Sequence, residues 1–132
     1  MIKEQKEKVK KLLSNYKTMK GQIECINYEI KLLKDHIEFL KEIRDTESYI
    51  IENNNEIEYK RDIKKRLEDC INSIDKALNE LSDTERKIVE LRYLDWKNYT
   101  WREIGNMVGY SSDYCRKEIL NKILFKIFYG LL

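Results

Sequence analysis

The sequence predicts an all-α protein, with a long helical arm over residues 1–80 and a small helix-turn-helix domain over residues 81–132. Three observations carry this. The 132 residues contain no proline and only four glycines, so little in the chain interrupts a helix. A run of apolar positions near the N-terminus keeps heptad spacing without a miss. Two segments after residue 80 open with capping boxes, the local signature of a helix start.

The arm comes first. Val9, Leu12, Tyr16, Met19, Ile23, Ile26, Ile30, Leu33, Ile37 and Leu40 alternate steps of three and four. This is the a/d seam of a coiled-coil-like helix, about 48 Å long at the usual rise per residue. The seam breaks after Leu40, where its next two positions are Arg44 and Glu47. Asn53, Asn54 and Asn55 follow. Asparagine side chains compete with helical hydrogen bonding, so this triplet is the expected turn or frayed join. A second seam runs through Ile63, Leu67, Cys70, Ile74, Ala77 and Leu81, widened by Ile71 and Leu78. Neither seam stays exposed, because burying each leucine-sized side chain gains about 1.5–3 kcal/mol. An antiparallel hairpin of the two helices satisfies both. A homodimer through the heptad arm does so too, and one chain leaves that choice open.

The domain boundary is placed after residue 80. Ser82 and Glu85 form an S-x-x-E box that starts a helix running to about Leu94. Thr100 and Glu103 form a second box, T-x-x-E, and Ile104, Met107 and Val108 give its helix an apolar stripe. Gly109 takes a positive φ at little cost, so it ends that helix and turns the chain. Ser111 or Ser112 then caps a second helix, with Cys115, Ile119, Ile123 and Ile127 on its buried side. Ser112, Asp113, Arg116 and Lys117 face away. A short polar helix start on an apolar back is what a major-groove contact requires. Further along, Leu120, Leu124, Phe128 and Leu131 form a second apolar side, with Phe125 and Leu132 nearby. That side wants cover from the chain's own arm or from a second subunit.

Composition narrows the function classes. Charged residues make up 38% of the chain, but 26 Lys and Arg stand against 24 Asp and Glu, so net charge alone argues little for nucleic acid. The charge is uneven. Lys3, Lys6, Lys8, Lys10, Lys11, Lys17 and Lys20 outnumber Glu4 and Glu7 at the N-terminus, and Asp45, Glu47, Glu52, Glu56 and Glu58 make the middle acidic. The basic run suits a solvated helix face. Three cysteines without a C-x-x-C pair argue against a disulfide framework or a zinc site, and a reducing cytoplasm is the expected setting. No stretch resembles a signal peptide or a membrane span. His36 is the one histidine, in a charged helical stretch, and no Gly-rich phosphate loop or Ser/His/Asp combination can be assembled. The chain is therefore expected to be no enzyme and to carry no cofactor or metal.

The segment from Leu81 to Phe128, with its Leu91-Arg92-Tyr93 sequence, its turn length and its apolar positions, resembles the C-terminal helix-turn-helix of bacterial sigma factors, region four. The resemblance implies that Ser112, Asp113, Arg116 and Lys117 face the bases of double-stranded DNA. It places Arg92, Thr100 and Ser111 at phosphates. Two positions depart from primary sigma factors, which have an arginine at Ser112 and a glutamine at Lys117, so a sequence other than the ordinary promoter hexamer is expected. From side-chain chemistry, Arg116 suits guanine O6 and N7, Asp113 suits a cytosine amino group, and Lys117 suits a base or a phosphate. Tyr114 suits a backbone sugar, a thymine methyl or packing against the preceding helix. Trp96 and Trp101 are expected to cover the small core.

Residues 1–80 show a heptad where a complete sigma factor has its promoter-opening domain. The layout, arm plus region-four-like end, resembles small phage- or prophage-encoded late-gene regulators of the ArpU/RinA type. It implies a cytoplasmic transcription activator that works with bacterial RNA polymerase, with a homodimer through the arm or the last helix left open. Two alternatives stand beside it: an anti-sigma-like protein that binds polymerase, and a coiled-coil adaptor without DNA binding.

Overall fold

The computed structural model describes residues 1–132 and is all helical, with no strand. Helix α1 spans Lys3–Ser14, α2 spans Tyr16–Leu40 and α3 spans Glu47–Asn79. Helix α4 spans Asp83–Val89 and continues into a π turn at Glu90–Leu94. Helix α5 spans Trp101–Val108. The last helix, α6, begins at Ser112–Tyr114, widens to a π turn over Cys115–Ile119 and runs on as Leu120–Gly130. The chain divides into two compact units, one of Met1–Thr18 with Ile71–Leu132 and one of Met19–Cys70.

The Met19–Cys70 unit is an antiparallel helical hairpin. Ile26, Ile30, Ile37 and Ile57 form its buried core, with Leu33, Ile50, Ile63 and Leu67 packed against them. Lys60 pairs with Glu29 across the hairpin, and the Asn53 amide meets His36 Nδ1 at 2.8 Å. The turn lies at residues 41–46, where the first heptad seam ends, and the asparagine triplet is inside α3. Thr46 is buried and its hydroxyl reaches the carbonyls of Leu40 at 2.7 Å and Ile43 at 3.0 Å. Asp45 supplies the reversal with φ of 60°, a region that aspartate tolerates better than most residues. Burial of Ile50 and Ile57 on either side holds the asparagines helical. Tertiary packing outweighs a propensity difference of a few tenths of a kcal/mol per residue.

The other unit joins both ends of the chain. Helix α1 packs on α6 and on the π turn after α4, and α5 packs on α4 and on the start of α6. Its fully buried side chains come from every segment: Leu13, Ile74, Ile88, Val89, Ile104, Cys115, Ile123, Leu124 and Ile127. Ala77 of α3 sits against Gly130, where an added Cβ would lie 3.2 Å from Ala77 Cβ. The Tyr16 hydroxyl donates to Asp75 at 2.6 Å, and burial together with that carboxylate raises its pKa. The compact boundary therefore falls inside α2 and α3 and not at residue 80. A 52-residue segment has too little interior of its own, and α1 and the end of α3 complete it. The heptad seam also pauses at Asn15, between α1 and α2. Around that pause Leu13, outside the seam, is fully buried because α1 has a second neighbour in α6.

The capping box of α4 forms as the sequence implies. Glu85 N donates to Ser82 Oγ at 3.2 Å, and Ser82 N donates to Glu85 Oε1 at 2.9 Å. Lys126 Nζ of α6 adds a contact to the same carboxylate oxygen at 2.7 Å. Burial pushes the Glu85 carboxyl up, but Lys126 and the Ser82 amide and hydroxyl outweigh it and hold it below the usual glutamate range.

Thr46→Val leaves two turn carbonyls without the hydroxyl and should cost about 1–2 kcal/mol in urea denaturation. Asn55→Ala should gain about 0.5 kcal/mol as a helix-interior change; a loss there would return the turn to the asparagines. The lowered Glu85 pKa means its stabilisation is present above the unfolded glutamate pKa and is lost as pH falls through the folded value. Glu85→Gln should thus be less stable than the natural chain at about pH 7, with the gap narrowing by about pH 3.

Candidate nucleic-acid interface

The geometry around Gly109 builds an exposed polar edge on a buried apolar back. Thr100 caps α5: Glu103 N donates to Thr100 Oγ1 and Thr100 N donates to Glu103 Oε1, both at 3.2 Å. The Thr100 amide, and then its hydroxyl, hold the Glu103 carboxyl below its usual range. Ile104 is fully buried and anchors α5. Gly109 ends it in the left-handed region with φ of 83°, and the amides of Gly109 and Tyr110 both donate to the Gly105 carbonyl, at 2.9 and 3.0 Å. Ser111 is the cap of α6, its Oγ accepting from Tyr114 N at 3.1 Å.

The back of α6 is as its spacing implies. Cys115, Ile123 and Ile127 are fully buried and Ile119 is nearly so. Burial raises the Cys115 thiol pKa, so it acts as a small apolar residue. The positions 115, 119, 123 and 127 repeat every four residues. In a regular α-helix each such step drifts about 40° around the axis. The π turn at Cys115–Ile119 winds less per residue and removes part of that drift, which keeps all four on one face.

The opposite edge is open. Asp113, Tyr114, Arg116 and Lys117 are exposed, while Ser112 is half-buried beside the turn. Arg116 Nη2 pairs with Asp113 Oδ1 at 3.1 Å, so the two base-facing candidates are partners of each other one turn apart. Tyr114 packs on Tyr110 with ring centroids 5.3 Å apart. Of the backbone candidates, Thr100 and Ser111 use their hydroxyl oxygens as helix caps. Arg92 donates to the Tyr99 carbonyl at 3.0 Å, and its guanidinium stands 4.8 Å from the Trp101 ring centre. Arg92 thus pins the 95–99 loop while its side chain stays exposed.

Two readings change, and for the last helix one of the two open alternatives is found. Met107 is exposed and does not join the stripe of Ile104 and Val108. Trp96 is 80% exposed and covers no core, standing instead near Lys17 Nζ at 5.7 Å, while Trp101 is half-buried. The second apolar side of α6 is covered inside the chain: Leu120 and Leu124 are buried, with α1 against the helix, although Phe125 remains exposed.

One residue escaped the sequence reading. Gly105 is buried, and a Cβ there would meet the Tyr110 carbonyl oxygen at 2.5 Å and Ser112 N at 3.2 Å. The turn lies directly on α5 because Gly105 has no side chain. The four-residue spacing of Gly105 and Gly109, which puts both toward the turn, was the available signal.

An all-α chain with a helical hairpin and a capped helix, turn, helix end is the class that this architecture defines. The chain belongs to the family described as protein of unknown function (DUF722), whose model matches residues 5–127 and so takes in both units. Neither the curated proteins nor the solved structures contain a match to it.

Gly105→Val should push the turn off α5 and cost about 3 kcal/mol of stability, measured by thermal or urea unfolding. Gly105→Ala should show the same sign with a smaller loss.

Proposed function

We propose that this protein is a sequence-specific double-stranded DNA-binding regulator of transcription, with the start of α6 as its base-reading element. One observation carries the reading: the exposed Asp113–Lys117 edge stands on a helix whose back is locked by Cys115, Ile119, Ile123 and Ile127. A rigid helix presenting short and basic side chains at its first turns matches the size and polarity of the major groove. Arg116 reads guanine, and in the complex it exchanges or shares its Asp113 partner with the base. Asp113 accepts from a cytosine amino group and Lys117 takes a neighbouring base or phosphate. The caps Thr100 and Ser111, together with Tyr114, meet the sugar-phosphate backbone and set register without reading sequence.

The resemblance to sigma region four extends the proposal to a phage-type activator that acts with bacterial RNA polymerase at promoters. The hairpin supplies no promoter-opening element, so the regulator acts on polymerase and opens no duplex itself.

Selection of binding sites from random duplex DNA tests this reading directly. A defined site should emerge, with binding that weakens steeply as salt rises. Arg116→Ala should then lose about 10- to 100-fold in affinity, the worth of a bidentate base contact, and relax preference at one position. Unchanged affinity and preference in Arg116→Ala would remove the base-reading role. Capture of polymerase by a chain that never retards DNA would favour the anti-sigma-like alternative.

A further inference from the structure

The hairpin sorts its charge between its two grooves. One groove between α2 and α3 is a cleft of about 340 Å³ lined by Lys31 and Lys34 of α2 and Arg61 and Lys64 of α3, with Asn27 at its edge and Ile30 beneath. Ile30 is buried, and Lys31, Lys34 and Arg61 are exposed and make no ion pair. Lys64 has a loose partner in Glu68 at 3.7 Å. The cleft adjoins a second one that shares Lys34 and Arg61 and contains Asp35, Glu38 and Lys41, where Glu38 is held by Lys41 at 2.9 Å. The groove on the other side is different. It is lined by Gln22, Cys25, Ile26, Glu29, Ile63 and Leu67, and Glu29, its one charge, is neutralised by Lys60.

Four cations converging from two helices, three of them without a counter-ion, create a positive site that like-charge repulsion disfavours unless an anion enters it. No exposed aromatic or apolar side chain lines this cleft. It therefore has no anchor of the kind protein partners use and no platform for stacked bases. Long, mobile amines and a guanidinium suit repeated phosphate charges.

We infer that the Lys31, Lys34, Arg61 and Lys64 groove of the hairpin is a second DNA contact, one that grips the phosphodiester backbone of duplex DNA without reading its sequence. The choice of duplex DNA as ligand rests on the function proposed above; the site itself lies in the other unit. It gives the hairpin a role in affinity, while sequence preference stays with α6.

The test uses the full-length chain with Lys31→Gln, Lys34→Gln and Arg61→Gln combined. Their exposure should leave helicity unchanged, checked by circular dichroism. A charge-keeping triple, Lys31→Arg, Lys34→Arg and Arg61→Lys, serves as the control. Affinity for a duplex with the selected site, and for a duplex of unrelated sequence, is measured from low to moderate salt. The glutamine triple should lower the slope of log affinity against log salt by about 2–3 on both duplexes, near 0.9 for each phosphate contact, and leave site preference unchanged. The charge-keeping triple should retain the natural slope. An unchanged slope in the glutamine triple, alongside Arg116-dependent site preference, overturns the groove and spares the proposed function. A reduced slope in a chain without site preference keeps the groove and overturns the base-reading proposal. Absence of duplex binding in the natural chain overturns both.

Discussion

Burial of the last helix on two faces is the constraint on which the unit of joined termini depends. Its first turns pack on α5 and its later turns on α1. Cys115, Ile123, Leu124 and Ile127 are fully buried, and Leu120 and Ile119 nearly so. Each large side chain among them gains about 1.5–3 kcal/mol from leaving water, set against the entropy of ordering the chain. A helix with one apolar face would be content with a single neighbour. This one needs two, and the second comes from the far end of the sequence. Lys126 on the same helix then ties it to the α4 cap through Glu85.

This constraint also frees the polar edge. Because the back of the helix is held along its length, the outer side of its first turns carries no packing duty, and Asp113, Arg116 and Lys117 remain in solvent. The Asp113–Arg116 pair keeps the guanidinium near the helix start at little energetic cost, since exposed i,i+3 pairs contribute only a few tenths of a kcal/mol. The same arrangement would serve a solvated face equally well in the free protein. The difference lies in the surroundings: caps at Thr100 and Ser111, a turn pressed onto α5 at Gly105, and aromatic cover from Tyr110.

Much of this was legible in the residues. The heptad positions Val9 to Leu40 are all buried or half-buried, and the Ser82 and Thr100 boxes form as written. Gly109 takes its positive φ, and Cys115 to Ile127 form the back of α6. What was misplaced has physical causes. Asparagine propensity pointed to residues 53–55 for the turn, but Ile50 and Ile57 supply a packing face that overrides it, and the end of the seam at Leu40 was the better sign. The contacts of Arg92 with Tyr99 and Trp101 were not legible, because the 95–99 loop that allows them leaves no local pattern. The boundary at residue 80 follows composition, whereas the interior follows long-range contacts that local patterns do not encode. Leu13 shows the same thing on a smaller scale: it lies off the seam yet is fully buried, on a helix that packs against the last one.

The pairing of α1 with α6 has a consequence for biosynthesis. Val9 and Leu13 leave the ribosome well before the helix that packs on α1 is made. Their apolar face waits uncovered, available to chaperones, until α6 has emerged. The hairpin, whose contacts are closer in sequence, is free to form earlier. Ribosomes that stop short of α6 would therefore release chains with a folded middle and an unfinished remainder.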